Sequence, residues 1–134
     1  MKKKKIIKRI VITFAVVIGI LCVVLFSMFL KMGSDMKNLK FYPVDMSTVE
    51  DGIYQGKAET TLVKVEVEVE VRDHKIIRID ILKHDNGFGK KAERITEDMI
   101  NLNTYEVDAV SGATSSSQVI KSAVSDALAG SVDK

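Results

Sequence analysis

A run of seven residues near the C-terminal end of the chain has the residue types of a phosphate-binding turn. It reads Asp108-Ala109-Val110-Ser111-Gly112-Ala113-Thr114, and it continues into three serines and an amphipathic stretch. The N-terminus of a helix presents unpaired N–H groups and the positive end of the helix dipole, and both attract phosphate. Gly112 allows a tight turn and a close approach of the backbone to a ligand, and Ala113 leaves room beside it. These residues therefore indicate an anion site with a hydroxyl group at the start of a helix.

The same residues also have an ordinary structural interpretation. Ser and Thr are favoured at the N-cap of a helix, and Ser115 with Gln118 three residues later fits a capping box. The two interpretations are compatible, because one helix end can be capped and can also bind a phosphate.

The run resembles the Asp-x-x-(Ser/Thr)-Gly-Ala-Thr signature of the FMN-binding domain family. This family includes the flavin-carrying subunits of the sodium-translocating NADH:quinone reductase and of the Rnf electron-transport complex. In those relatives the last Thr carries FMN through a phosphoester that a dedicated flavin transferase installs, and the matching position here is Thr114. The resemblance implies FMN as the cofactor, with a flavin transferase as a partner. The cofactor-binding residues that the resemblance implies are Asp108, Ser111, Gly112, Ala113, Thr114 and Ser115.

Two of these residues have more than one possible role. Asp108 could stabilise the turn, as Asp commonly does, or could help the metal-bound substrate of the transferase to settle. Ser111 could donate to a phosphate oxygen or to the backbone of the turn. The sequence leaves these alternatives open.

A second segment of interest lies before the first predicted helix of the domain. Gly87-Phe88-Gly89, followed by Lys90-Lys91-Ala92, resembles the Gly-x-Gly segment that lies near the flavin ring in the family. Two glycines let a backbone approach a planar ring, and Phe88 could pack on its face. A turn between strand and helix with a core phenylalanine explains the same residues equally well.

No metal site and no catalytic side chain are predicted. His74 and His84 are the only histidines, and neither has a carboxylate at a fixed spacing, so they are poor evidence for a metal site. Both are expected to be surface residues. The single cysteine, Cys22, lies inside a long apolar run, so the rest of the chain can form no internal disulfide.

The apolar run predicts a membrane anchor. Ile10 to Leu30 is 21 residues without a charge, which as a helix spans the roughly 30 Å hydrocarbon core of a bilayer. A cleavable signal peptide is the competing interpretation, but its apolar region is usually about 7–15 residues long and ends at a small-x-small site. We therefore predict a cytoplasmic tail over residues 1–9, an uncleaved transmembrane helix over 10–30, a juxtamembrane linker over 31–43 and an extracytoplasmic FMN-binding domain over 44–134.

The distribution of charge supports this division and makes nucleic acid an unlikely partner on physical grounds. The first nine residues hold six of the 20 basic residues, which leaves 14 bases against 18 acids in the remainder. The rest of the chain is therefore mildly acidic, whereas phosphate backbones are bound by basic surfaces.

The pattern after residue 44 predicts an α+β domain, a small antiparallel sheet covered by two helices. Val63, Val65, Val67, Val69 and Val71 alternate with charged residues, which is the period of a strand with one buried face. Strands are expected over Leu62–Arg72 and Ile76–Leu82, with a short strand over Tyr105–Val110, and Asp51–Ala58 resembles the opening strand of the family. Helices are expected over Lys90–Leu102, with Ala92, Ile95, Met99 and Leu102 buried, and over Ser116–Leu128.

These features favour a membrane-anchored extracytoplasmic flavoprotein with FMN linked to Thr114, acting as an electron carrier rather than as a stand-alone enzyme. A quinone or a reductase in the membrane would be its redox partner. The alternative is a non-redox sensor or assembly module that binds flavin without a covalent bond, or binds another partner.

The orientation of the anchor can be tested directly. Because the six bases precede the apolar run, the positive-inside rule predicts that residues 31–134 lie outside the cytoplasm. Protease added to intact spheroplasts is expected to digest the domain. Protection of the domain until the cells are lysed would show the opposite orientation.

Overall fold

The computed structural model describes residues 1–85 and 89–131, and it divides the chain into two compact units, Met1–Ser34 and Asp35–Lys134. Gly87 and Phe88, proposed above to lie near the flavin ring, fall outside the described residues. The helices are α1 (Lys2–Asn38), α2 (Ile95–Leu102) and α3 (Thr114–Ala129), and the strands are β1 (Gly52–Glu59), β2 (Lys64–Arg72) and β3 (Lys75–Asp85). Two short 3-10 helices occupy Met46–Thr48 and Lys90–Arg94.

Helix α1 contains the predicted membrane span and is longer than it. By length and composition it is able to cross a membrane, with a mean hydropathy of 3.0 over its most apolar window. It continues through residues 31–38, which the sequence assigned to a linker, because no proline interrupts the chain before Pro43 and an existing helix elongates easily. The division into tail, anchor, linker and domain stays a prediction.

The second unit is built on a three-stranded antiparallel sheet in the order β1-β2-β3. In β2 the alternation predicted from the sequence is confirmed: its valines are buried, and the residues between them lie on the other face. The turn between β2 and β3 is made by Asp73 and His74, whose φ angles are 52° and 61°. Two successive positive φ angles are typical of a type I′ hairpin turn, which here forms without the usual glycine.

Helix α3 packs on the valine face of the sheet. The residues predicted to be buried along it are all in the core: Val119, Ile120, Ala123, Val124, Ala127 and Leu128. A Cβ at Gly56 of β1 would collide with the backbone of Ala123 and Ala127, so the absence of a side chain lets α3 contact the strand. Beside this contact, the Asp126 carboxylate accepts a hydrogen bond of 3.0 Å from the Lys57 N–H.

The predicted helix over Lys90–Leu102 is divided in two, a 3-10 helix at Lys90–Arg94 and then α2. Ala92, Ile95 and Met99 are buried as predicted, but Leu102 is 67% exposed, so its placement in the core is wrong. Leu102 ends α2, since Asn103 adopts a left-handed conformation. The spacing of apolar residues shows which face of a helix is buried, but it does not show how far along the helix the rest of the protein covers that face.

The prediction of a short strand before α3 is also wrong. Tyr105, Val107 and Val110 are buried while Glu106 and Asp108 are exposed, yet this segment is paired with no strand and has an irregular backbone. The alternation of buried and exposed residues in this segment reflects its packing against the domain, not the presence of a fourth strand. The described chain is therefore an α+β fold with α2 and α3 packed against a three-stranded sheet.

The two faces of β2 lead to a prediction about the stability of the domain. Val67 is fully buried, and an unpaired carboxylate there would cost several kcal/mol, comparable with the total stability of a small domain. Val67→Asp is expected to abolish the cooperative unfolding transition measured by circular dichroism. Glu66→Gln, at the exposed neighbouring position, is the control and should unfold like the wild type. Similar transitions for both variants would contradict the assignment of the two faces.

Candidate functional site

The first turn of α3 has no side-chain cap. The helix begins at Thr114, and its N-cap residue is Ala113, with φ −139°, ψ 39° and no hydrogen bond from its side chain to the helix. The capping box expected from Ser115 and Gln118 is therefore wrong, because both residues lie inside the helix. No acidic residue lies in the first turn, so the positive end of the dipole is not offset there by a local carboxylate.

Instead of a cap, the Ser117 hydroxyl closes the turn from inside. Ser117 is fully buried. Its Oγ accepts a hydrogen bond of 2.9 Å from the Val110 N–H and donates one of 2.8 Å to the Ala113 carbonyl. The Ala113 N–H donates to the Val110 carbonyl at 2.9 Å, which closes the loop of residues 110–113. The loop that carries Ser111 and Gly112 is thus tied at its base to the first turn of α3.

The hydroxyl and backbone groups at the tip of this loop face solvent. Ser111, Gly112 and Thr114 are exposed, as is Asp108 before them. Ala113 is buried, Ser115 is half-buried and Ser116 is buried. Of Thr114 and the three serines that follow it, Thr114 is therefore the exposed residue.

Gly112 has a backbone that favours glycine and a lysine beside it. Its φ is 76°, in the left-handed region. A Cβ built on Gly112 would lie 2.5 Å from Nζ and 3.4 Å from Cε of Lys91. The space next to the loop that a side chain would occupy is thus taken by the ammonium group of a residue from the 3-10 helix.

The 3-10 helix of Lys90–Arg94 is held against β3 by a histidine. His84 Nδ1 lies 2.9 Å from Glu93 Oε1, and the His84 side chain is 3% exposed. The expectation that His84 is a surface residue is therefore wrong, whereas His74 is exposed as expected. Gly89 is half-buried and immediately precedes the 3-10 helix. This part of the predicted Gly-x-Gly segment is thus joined to the element that reaches the Gly112 loop.

A groove of about 390 Å³ lies elsewhere on the unit. Its lining includes Leu39, Lys57, Val65 and Ser122, and it contains no residue of the 108–115 run. Within residues 1–85 and 89–131, no group of three or more His, Cys, Asp or Glu side chains is arranged to hold a metal ion.

The Gly112 loop fits a phosphate group. A positive helix end without a cap, a backbone that a Cβ would obstruct, an exposed hydroxyl on Thr114 and the Lys91 ammonium meet there. Neither the position of Lys91 beside the loop nor the contacts of Ser117 were predicted from the sequence. The adjacent pair Lys90-Lys91 could have indicated a positive charge near the site, but only the fold shows that Lys91 is the lysine beside Gly112.

The Ser117 contacts make a testable prediction. Ser117→Ala leaves the Val110 N–H buried without its acceptor, which we expect to lower the free energy of unfolding by about 1–3 kcal/mol. Ser115→Ala, at a half-buried position two residues earlier, is the control, with an expected change below about 0.5 kcal/mol. Urea unfolding of both variants measures the difference. Equal midpoints would show that the Ser117 hydroxyl does not stabilise the loop.

A comparison with known proteins assigns the chain to a family. No curated protein matches the chain at a significant level. A family model for the FMN-binding domain matches residues 62–129, which is half of the chain and runs from just before β2 to the end of α3. Strand β1 lies outside the match. The chain belongs to the FMN-binding domain family, and its cofactor is FMN.

Proposed function

We propose that this protein is a membrane-anchored, extracytoplasmic electron carrier whose FMN is joined to the Thr114 hydroxyl by a phosphoester. The observation that carries the proposal is the exposed Thr114 side chain at the uncapped start of α3, directly after the Gly112 loop. FMN supplies reversible transfer of one or two electrons, and the protein determines where this takes place.

The exposure of the loop favours a covalent bond over simple binding. Ser111, Gly112 and Thr114 all face water, and exposed contacts between charges are weak because solvent and salt screen them. A phosphate held only by this loop would be lost readily. Outside the cell lost FMN could not be replaced from the cytoplasmic pool, so an ester bond would preserve function.

Attachment requires an activated flavin donor. The Thr114 Oγ attacks the phosphorus of an FMN phosphoanhydride, such as a flavin dinucleotide bound to the transferase. The Oγ–P bond forms, the anhydride P–O bond breaks, and the nucleoside monophosphate leaves with the bonding electron pair. The hydroxyl proton passes to a base of the transferase or to water. In this step the loop of this chain presents the nucleophile, and the start of α3 stabilises the charge on the phosphate oxygens.

The apolar helix α1 gives the carrier its place in the cell. As a single anchor it would restrict the domain to the membrane surface and so raise its effective concentration towards a membrane quinone or reductase. In this proposal the partner supplies electrons to the flavin or takes them from it.

The attachment site can be tested with variants of the full chain. Thr114→Val keeps the shape of the side chain and removes its oxygen. Co-expression of this variant with a flavin transferase should therefore yield a folded protein with no attached flavin. Ser115→Ala and Ser116→Ala are the controls, and both should remain yellow and fluorescent after denaturing electrophoresis. Digestion and fragmentation of the peptide that contains residue 114, measured by tandem mass spectrometry, identify the modified residue.

Two results would contradict the proposal. A flavin adduct on a serine, or flavin retained by Thr114→Val through denaturation, would assign the bond to another residue. Absence of an adduct on the wild type despite an active transferase would favour a module that binds FMN non-covalently.

A further inference from the structure

We propose that the Lys91 ammonium is the counter-ion of the FMN phosphate and positions it at Thr114. This inference rests on the proposed function, because it concerns the same phosphate. Lys91 is a positioning residue here, and the hydroxyl that reacts belongs to Thr114.

The position of the Lys91 head group supports this role. Its Nζ lies 2.5 Å from the point where a Cβ of residue 112 would be, and Gly112 is two residues before Thr114. The ammonium thus lies beside the loop that leads into α3. A phosphate esterified to Thr114 would be next to the uncapped helix end, and the lysine beside the same loop would supply a second positive group.

The charge of Lys91 is available to a ligand. Within the part of the chain that the structure describes, the ion pairs of lysine join Lys64 to Glu59 and Lys83 to Asp85, and no carboxylate pairs with Lys91. The side chain is exposed, so a phosphate can reach it without displacing an internal partner. An ammonium group close to a loop without a paired anion favours an anionic ligand there.

The backbone that carries Lys91 is well anchored. The next residue, Ala92, is fully buried, and its N–H donates to the Gly89 carbonyl at 2.9 Å. Glu93 lies 2.9 Å from the buried imidazole of His84 on β3. The stem of Lys91 therefore starts from a fixed point, which lowers the conformational entropy lost when its head group binds.

The geometry also gives a second reason for glycine at position 112. Besides its left-handed backbone, any side chain at this position would displace the lysine head group. Removal of the Lys91 charge should lower the rate at which the flavin is attached, because the phosphate oxygens then lack one of their two positive neighbours.

The test uses the full chain in detergent with a purified flavin transferase and its flavin dinucleotide. The variants are Lys91→Met, which removes the charge at similar length, Lys91→Arg, which keeps it, and the matched control Lys90→Met. Intact mass follows the initial rate of attachment, and the ³¹P resonance of the fully loaded protein reports the surroundings of the phosphodiester. Thermal unfolding of each variant before loading verifies that the fold is intact.

We expect Lys91→Met to lower the initial rate about tenfold and to shift the ³¹P resonance. The rate difference should decrease with added salt. Lys91→Arg should restore most of the rate, and Lys90→Met should match the wild type in both measurements. An unchanged ³¹P resonance in loaded Lys91→Met overturns the proposal even if the rate falls, because Lys91 would then act on the transferase. If wild-type Thr114 carries no flavin, the proposed function itself fails, whereas loaded wild type with an unaffected Lys91→Met overturns only the role of Lys91.

Discussion

The packing of α3 against the valine face of the sheet is the contact on which the site depends. The helix lies against the strand backbone at Gly56, where a Cβ would collide with two residues of α3. The hydrogen bond from the Lys57 N–H to Asp126 lies next to this contact. Because a helix is stiff, these contacts in its C-terminal half also fix the position of its first turn, where Thr114 lies. Burial of β2 valines under the same helix supplies the hydrophobic free energy for this arrangement.

The start of α3 is stabilised in a way that leaves it open to a ligand. A Ser or Asp at the N-cap would satisfy N–H groups of the first turn and occupy the place of a phosphate. Here the N-cap is Ala113, which has no polar side chain, and the loop is closed instead by the buried Ser117 hydroxyl one turn later. The internal hydrogen bonds hold the loop while the outer face of the helix end remains available. Local stability and access for a ligand are thus provided by different residues.

The two sides of the Gly112 loop come from distant parts of the sequence. One side is the start of α3, and the other is the 3-10 helix that follows β3 and carries Lys91. The pair formed by His84 and Glu93 joins this 3-10 helix to the sheet. Both sides of the loop are therefore supported by the same sheet. This common support explains how a small domain can hold a charged group next to an exposed loop.

The elements that depend on a local pattern were predictable from the sequence alone. The alternating valines of β2, the apolar run of α1 and the core positions of α3 all follow from periodicity, because each face is defined by the residues it contains. The Gly-Ala-Thr run identified the family by its residue types alone. The tertiary fold sets which of Thr114 and the serines after it are buried and which are exposed. It also decided that His84 is buried and that Lys91, rather than Lys90, reaches the Gly112 loop. These outcomes depend on contacts between residues far apart in the chain, and a pattern along one segment contains no information about the surface that another segment brings to it.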